Sequence, residues 1–350
     1  YFMPIERGIM NTLSPQHRFI PVALEAVSAA CTVARMIQAN LEQLKQVTKD
    51  DRSPVTVADY AVQAIVALIL ADSLSGEELL VVGEEDAFGL RSNNQLAIRT
   101  AVLEAVRSWK PNVTEKEMLD AIDACDHDGS ASGYWSLDPI DGTKGFLRGQ
   151  HYAIALGRIE NGKVVAGVMG CPNLSTDQSF PLDKADPEGV MYAASEGAGA
   201  WEFADCNPTS SPMRIVAQQY EASRPLRFCE SAEKGHSNRG ESGLIIDAIG
   251  TQGEPARLDS QCKYALVARG QADGYLRLPT SKTYVEKIWD HAAGVSIATE
   301  AGAIVSDVTG KPLDFTHGAR LEVNRGVICA IDELHQRIIA TINDLAIAQG

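Results

Sequence analysis

The run Trp135-Ser-Leu-Asp-Pro-Ile-Asp-Gly-Thr-Lys-Gly-Phe146 places two carboxylates, Asp138 and Asp141, and the carbonyl of Ile140 on one bend. Pro139 stiffens that bend by fixing φ. Gly142 and Thr143 follow with backbone N–H groups where a helix is expected to start, a position that holds anions through unpaired donors and the helix dipole. Hard divalent cations take oxygen ligands in near-octahedral geometry and often share them with substrate phosphates. Asp138, the Ile140 carbonyl and Asp141 are therefore a candidate cation site beside a candidate phosphate cradle. Asp, Pro and Gly are also the ordinary residues of surface turns, so the segment needs support from elsewhere in the chain.

The 350 residues suffice for two domains or one large one, and 45% apolar content is that of an ordinary folded protein. A net charge of −15 argues against a nucleic-acid polymer as partner, because binding a phosphate backbone needs basic surface that releases counterions. A small phosphorylated molecule remains compatible, provided that bound cations and a local Lys/Arg/His cluster draw it in. The seven cysteines are scattered and include no C-x-x-C pair, so reduced thiols are expected rather than a disulfide framework or a thiolate zinc site. No stretch of about eighteen uncharged apolar residues is present to span a bilayer. The first thirty residues, with Glu6, Arg7, His17 and Arg18, lack the apolar core of a signal peptide. The expectation is a cytoplasmic monomer with no membrane partner.

Apolar residues at helical spacing predict helices over 19–47 and 55–74, then a short strand over 79–82 that runs into Gly83-Glu84-Glu85-Asp86. Residues 91–126 read as helical with a break at Pro111-Asn112, and Thr114 leads Glu117 at capping-box spacing. From Trp135 the pattern changes to strands. Those over 151–158 and 164–170 flank Glu160-Asn161-Gly162, a strong hairpin signal. Another strand pair over 190–203 bends at Gly197 to Gly199. The Pro/Ser/Asn-rich seam 205–212 suggests a boundary between an α+β unit with an antiparallel sheet (1–206) and a mixed α/β unit (207–350), in which strands and helices alternate.

Two further acidic segments accompany the bend. Glu84 follows an apolar strand, where a strand end can aim a carboxylate into a cleft, and Asp290 lies in Trp289-Asp290-His291-Ala-Ala-Gly294 before an apolar helix. Taken singly, Glu84 reads as a solvated turn and Asp290 as a helix cap. Asp59, three residues after Thr56, also has capping-box spacing.

Together, in this order, Gly-Glu-Glu, Asp-Pro-Ile-Asp-Gly-Thr and Trp-Asp-His-Ala-Ala-Gly resemble the signatures of the inositol monophosphatase superfamily of Mg²⁺-dependent, lithium-sensitive phosphatases. The likeness is greatest to the 3′(2′),5′-bisphosphate nucleotidases. It is carried by Ser53-Pro-Val-Thr-Val-Ala-Asp59, Asp138 to Gly149, Glu233-Lys-Gly-His236-Ser, Leu258-Asp-Ser260-Gln-Cys-Lys263-Tyr and Gly274-Tyr-Leu-Arg277-Leu-Pro279. Residues 91–126 resemble the insertion that separates these nucleotidases from the shorter inositol phosphatases.

The resemblance implies a layered αβαβα sugar-phosphatase fold and a nucleotide substrate, adenosine 3′,5′-bisphosphate or its 5′-phosphosulfate relative. It implies that Glu84, Asp138, the Ile140 carbonyl, Asp141 and Asp290 ligate two or three Mg²⁺ ions. Asp59, with Thr143, would orient or deprotonate the attacking water, and Thr143, His236, Ser260, Lys263 and Arg277 would hold the substrate. The chemistry agrees, since phosphoryl transfer needs positioning and charge neutralisation more than covalent help.

Three other readings compete. An inositol phosphate phosphatase would share the acid cluster, but the segments 233–237 and 258–263 favour a nucleotide. An aspartyl-phosphate enzyme would show Asp-x-Asp near the chain start, whereas this chain has Asp-x-x-Asp at 138–141. A silent nucleotide-binding sensor would lack a ligand or Asp59, and all are present.

Overall fold

Alanine, valine, leucine and isoleucine at helical spacing build the first layer, α1 (Ile20–Ala39), α2 (Leu41–Thr48) and α3 (Ser53–Ser73). The computed structural model describes residues 18–48, 53–232, 239–250, 254–281 and 283–347. The single helix expected over 19–47 is two, because Asn40 closes α1: its N–H donates to the Ile37 carbonyl at 3.0 Å and its amide to the Met36 carbonyl at 2.8 Å. Both α1 and Val55–Ser73 are long and apolar enough to cross a membrane. In this fold their apolar faces pack against each other and the first sheet.

After β1 (Val81–Gly83) come α4 (Leu96–Trp109) and α5 (Glu115–Asp123), and the expected capping box opens α5. The Thr114 side chain accepts from Glu117 N–H at 3.2 Å, while the Glu117 carboxylate accepts from Thr114 N–H at 2.8 Å. This helical excursion carries the chain back to the same end of the sheet, so β2 (Gly133–Asp141) pairs parallel with β1. The short helix α6 (Thr143–Leu147) follows, after which the sheet continues as an antiparallel meander. Its strands are β3 (Ala153–Glu160), β4 (Lys163–Cys171), β5 (Val190–Ser195), β6 (Gly199–Ala204) and β7 (Met213–Ile215). Asn161 and Gly162, with φ of 50° and 74°, form the two-residue hairpin between β3 and β4. The expected antiparallel sheet thus carries one parallel edge pair, and its last strand, β7, lies beyond the 205–212 seam.

The second sheet is mixed, with strands β8 (Phe228–Ser231), β9 (Ala256–Leu258), β10 (Gly274–Arg277), β11 (Ile304–Ser306) and β12 (Val327–Ala330) in the order β11-β12-β10-β8-β9. The residue pattern predicts strands over 226–229, 274–277, 303–306 and 327–330, which leaves β9, three residues long, as the strand of this sheet that it does not announce. Helices α7 (Arg239–Ile249) and α10 (Asp332–Asp344) flank this sheet, while α8 (Cys262–Ala268) and α9 (Ala292–Glu300) lie between the two sheets. The layers are α, β, α, β, α, as expected.

The middle layer is packed unusually close. A Cβ at Gly157 on β3 would lie 2.8 Å from Ala292 Cβ, and one at Gly167 on β4 would lie 2.8 Å from the Ala293 carbonyl oxygen. On the other side of α9, a Cβ at Gly294 would lie 2.3 Å from the Tyr264 ring on α8. Glycine therefore brings α9 against both neighbours and fixes where Asp290, just before it, can stand.

Gly294→Ala tests this. The substitution gains about 1 kcal/mol of helix propensity, but overpacking costs typically 1–3 kcal/mol or more where the neighbours cannot retreat. With α9 pinned on both sides, a net loss is expected, read as a lower urea midpoint with an unchanged m-value. An equal or higher midpoint would show that the helix has room to move.

Candidate metal and substrate site

The pairing of β1 and β2 assembles the first acids. Gly83 lies opposite Leu137, so the next residues, Glu84 and Asp138, emerge side by side. Side chains alternate along a strand, and Asp138 and Asp141, three apart, would face opposite ways. The ladder to β3 is irregular there: Asp138 pairs with Ala155 and Asp141 with Ala153, three steps on β2 against two on β3. The extra residue, at a segment where Pro139 has no N–H to give, turns Asp141 to the side of Asp138. The expected bend is thus a bulge at the end of a strand, and Gly142, at φ 91°, makes the turn into α6.

Asp290 arrives from the other half of the chain, in a short 3₁₀ turn (Ile288–Asp290), and does not cap α9. Asp59 stands on α3 well past its first turn, so its Thr56 spacing is not a capping box. It is buried (8% exposed), close enough to Glu85, Glu84 and Asp138 for their charges to act on it.

Two buried glutamines, not singled out from the sequence, clip this arrangement together. Gln63, one turn after Asp59 on α3, donates to the Glu85 carbonyl at 2.6 Å and to the Ile122 carbonyl at 3.2 Å, and accepts from Glu85 N–H at 3.1 Å. Gln261 donates its backbone N–H to Asp141, while its amide donates to the Trp289 carbonyl at 2.8 Å and accepts from Gly294 N–H at 3.0 Å. Polar residues inside apolar stripes were the available signal.

The acids oppose one another. Burial, then Asp290, Glu85 and Asp141, raise Glu84 to about 7, although its side chain is open to the cleft. Burial and Asp290 raise Asp141 to about 6, with Lys263, the Gln261 N–H and Arg277 holding it down. Asp138 is raised by burial, Glu84, Asp141 and Asp290, and Asp59 by burial, Glu85 and Glu84. Asp138 is 2% exposed and, among the described residues, its Oδ1 has no hydrogen-bond partner. A buried, unpaired carboxylate oxygen among further carboxylates and a carbonyl is a hard-oxygen donor set that suits a divalent cation.

Four of these acids line a 250 Å³ cavity. Glu84, Asp138, Ile140, Asp141 and Asp290 line it, as do Thr143, Ser260, Lys263 and Arg277; Asp59 is not among the lining residues. Ser260 has φ 73°, and its Oγ accepts from Cys262 N–H at 3.2 Å. Lys263 is buried, with Nζ 2.5 Å from the Ser260 carbonyl oxygen and 3.2 Å from that of Leu258, and burial depresses its pKa. Arg277 is held charged: burial opposes that, but Glu286 and Asp290 outweigh it. Tyr275, Tyr284, Lys144 and Asp259 also line the cavity, and Arg148 donates to Asp259 at 2.6 Å. His236 lies outside the described residues.

Residues 17–346 match the family described as Inositol monophosphatase family. The chain belongs to the inositol monophosphatase family. It is 43% identical over 303 residues to a 3′(2′),5′-bisphosphate nucleotidase of Schizosaccharomyces pombe, covering 83% of this chain and 84% of that protein. It is 37% identical over 343 residues to a 3′(2′),5′-bisphosphate nucleotidase of Oryza sativa, covering 95% of each. Among solved structures, an inositol monophosphatase from Zymomonas mobilis aligns with TM-score 0.59 and 18% identity, over 95% of this chain and all of that one (100%). CysQ from Bacteroides thetaiotaomicron, a bacterial member of the family, aligns with TM-score 0.57 and 21% identity, over 90% and 97%. These two establish the shared fold. Members of the inositol monophosphatase family generally use divalent metal ions, which the donor set here suits.

The electrostatics set a pH dependence for the metal-free protein. An acid raised on folding binds its proton more tightly in the native state, so stability falls as pH rises from the unfolded values near 4 through about 6 for Asp141 and about 7 for Glu84. In EDTA, the melting temperature should drop between about pH 5 and pH 8, and excess Mg²⁺ should remove the drop. A flat EDTA profile would mean that the acids do not repel one another in the folded protein.

Proposed function

We propose that the protein hydrolyses the 3′-phosphate of adenosine 3′,5′-bisphosphate to AMP and phosphate, and also accepts the 5′-phosphosulfate analogue. Two features support this reading together: relatives of nearly the same length bear the name 3′(2′),5′-bisphosphate nucleotidase, and the cavity's wall carries Lys263 and Arg277 beside the carboxylates. The wall carries the substrate argument, since a second anionic group beyond the scissile one needs cations of its own. An inositol monophosphate offers none.

In this reading Glu84, Asp138, the Ile140 carbonyl, Asp141 and Asp290 hold two or three Mg²⁺ ions. Bound Mg²⁺ supplies neutralisation of the phosphate oxygens and acidification of water. Asp59, whose proton affinity is raised by burial and by Glu85 and Glu84, accepts the proton of the attacking water. Thr143, at the first position of α6 and open to the cavity, orients that water and the phosphate. Water adds to phosphorus in line as the ester bond breaks, and the 3′-oxygen takes a proton from solvent water, which the proton held by Asp59 then replaces. Lys263, Arg277, Ser260 and His236 hold the 5′-phosphate and nucleoside that remain. The protein acts as a monomer in the cytoplasm on this small nucleotide.

Phosphate release from the bisphosphate, with and without EDTA and beside inositol 1-phosphate, tests the proposal. Release should require the metal and favour the nucleotide; a higher kcat/KM for the inositol ester would overturn the substrate assignment.

Asp59→Asn should lower kcat by about 10²–10⁴-fold, the usual contribution of a general base, while AMP still binds. Normal turnover would assign Asp59 a structural role alone.

A further inference from the structure

Arg277 is the wall cation whose surroundings are most fully determined. Its Nε donates to Glu286 Oε1 at 3.0 Å and its Nη2 lies 2.6 Å from Glu286 Oε2, a two-point fork. Nη2 also donates to Asp290 Oδ2 at 3.0 Å and approaches the Tyr284 hydroxyl at 3.4 Å. Among the described residues Nη1 has no hydrogen-bond partner, and the side chain lines the cavity.

Glu286 is 4% exposed and sits behind the cavity wall. It is itself held from behind, because His291 Nε2 lies 3.3 Å from its Oε2 and the Tyr264 hydroxyl lies 2.8 Å from His291 Nδ1. A neutral imidazole with its proton on Nε2 satisfies both bonds: Tyr264 donates to Nδ1, and Nε2–H donates to Glu286. The chain runs from the core through two fully buried side chains to the guanidinium. Ligand-type atoms of Glu286, Asp290 and His291 all lie within 4.8 Å of one another. They do not form a separate cation site, since the guanidinium already bonds both carboxylates and the imidazole uses both nitrogens.

We propose that Glu286 is a positioning residue whose fork keeps the Arg277 guanidinium from closing fully on Asp290, leaving Asp290 to a cation and the Nη1 edge of Arg277 to a substrate phosphate. The charges explain why the second acid is needed. One guanidinium shared between two carboxylates leaves a net negative charge for the cation to meet. Without Glu286, Arg277 and Asp290 form a neutral pair whose two-point geometry occupies both oxygens of the would-be ligand and the Nη1–Nη2 edge of the arginine. The inference rests on the substrate reading above and specifies how its phosphate end is recognised.

Calorimetric binding of AMP to the full chain in excess Mg²⁺, with adenosine as the control lacking a phosphate, tests the assignment. Glu286→Gln should weaken AMP by about 10–100-fold, the range for loss of a charge-assisted hydrogen bond, and leave adenosine unchanged. In an Arg277→Ala background the same change should cost nothing further, and Glu286→Asp should recover part of the loss. Unchanged AMP affinity, equal losses for AMP and adenosine, or full additivity with Arg277→Ala would each overturn the assignment. Should Glu286→Gln fail to melt cooperatively, Tyr264→Phe keeps the ring and removes only the hydroxyl. It should weaken AMP in the same direction by a smaller factor, and no change there would count against the chain. Wild-type hydrolysis of the bisphosphate is read separately: its absence beside the expected AMP pattern would remove the substrate reading and leave Glu286 as assigned. A wild type that binds neither AMP nor inorganic phosphate would remove both.

Discussion

Like charges held close together are the constraint on which the rest of this molecule turns. Glu84, Asp138, Asp141 and Asp290 line one cavity and Asp59 is buried close by, and burial together with the neighbouring charges raises Glu84, Asp138, Asp141 and Asp59. Burial and the neighbouring Asp290 charge raise Asp141 from 3.8 to about 6, on the order of 3 kcal/mol at 1.36 kcal/mol per unit. Domain stability is roughly 5–15 kcal/mol, so even this one group is a sizeable fraction. Glu84, open to the cleft, is better screened and contributes less than its larger shift suggests. A divalent cation held among these acids would reverse the sign of these interactions.

Holding such a cluster together demands rigidity from its neighbours, and the structure supplies it in uncharged form. Gln63 ties the Glu84–Glu85 loop to α3, and Gln261 ties α8 to both the Asp141 strand and the Asp290 turn. Amides can give and accept at once without adding charge. Close packing does the remainder. Glycines at 157, 167 and 294 let α9 sit against the first sheet and against Tyr264, so Asp290 cannot retreat from its neighbours. Arg277 and Lys263 line the same cavity, where each moderates the repulsion felt by Asp141 and presents positive charge to an incoming anion.

Much of this was legible in the chain. Helical periodicity found α3 and both insertion helices, and Asn161-Gly162 placed the β3–β4 turn, because these signals depend on neighbours in sequence. The continuous reading of 19–47 failed at Asn40, whose side chain ends α1 by bonding the preceding turn. Strand β9 escaped notice because three residues are too few to show alternation. The Asp138–Asp141 segment was expected as a bend and is a bulged strand. Its composition suits either, and only pairing with β3 distinguishes them. Asp290 and Thr56–Asp59 both looked like helix caps, and neither is one.

What the sequence determined by itself was the set of oxygen donors and the local bends that aim them, since residue type and turn chemistry are properties of short segments. It also carried the likeness that places the chain in its family. The tertiary structure alone decided which donors meet. Glu84 and Asp138 are neighbours because a helical excursion makes β1 and β2 parallel, and Asp290 joins them because α9 is pressed between two sheets. The same folding brought Glu286 and His291 behind Arg277, a connection that no spacing along the chain announces, because it depends on the separation of side chains across layers.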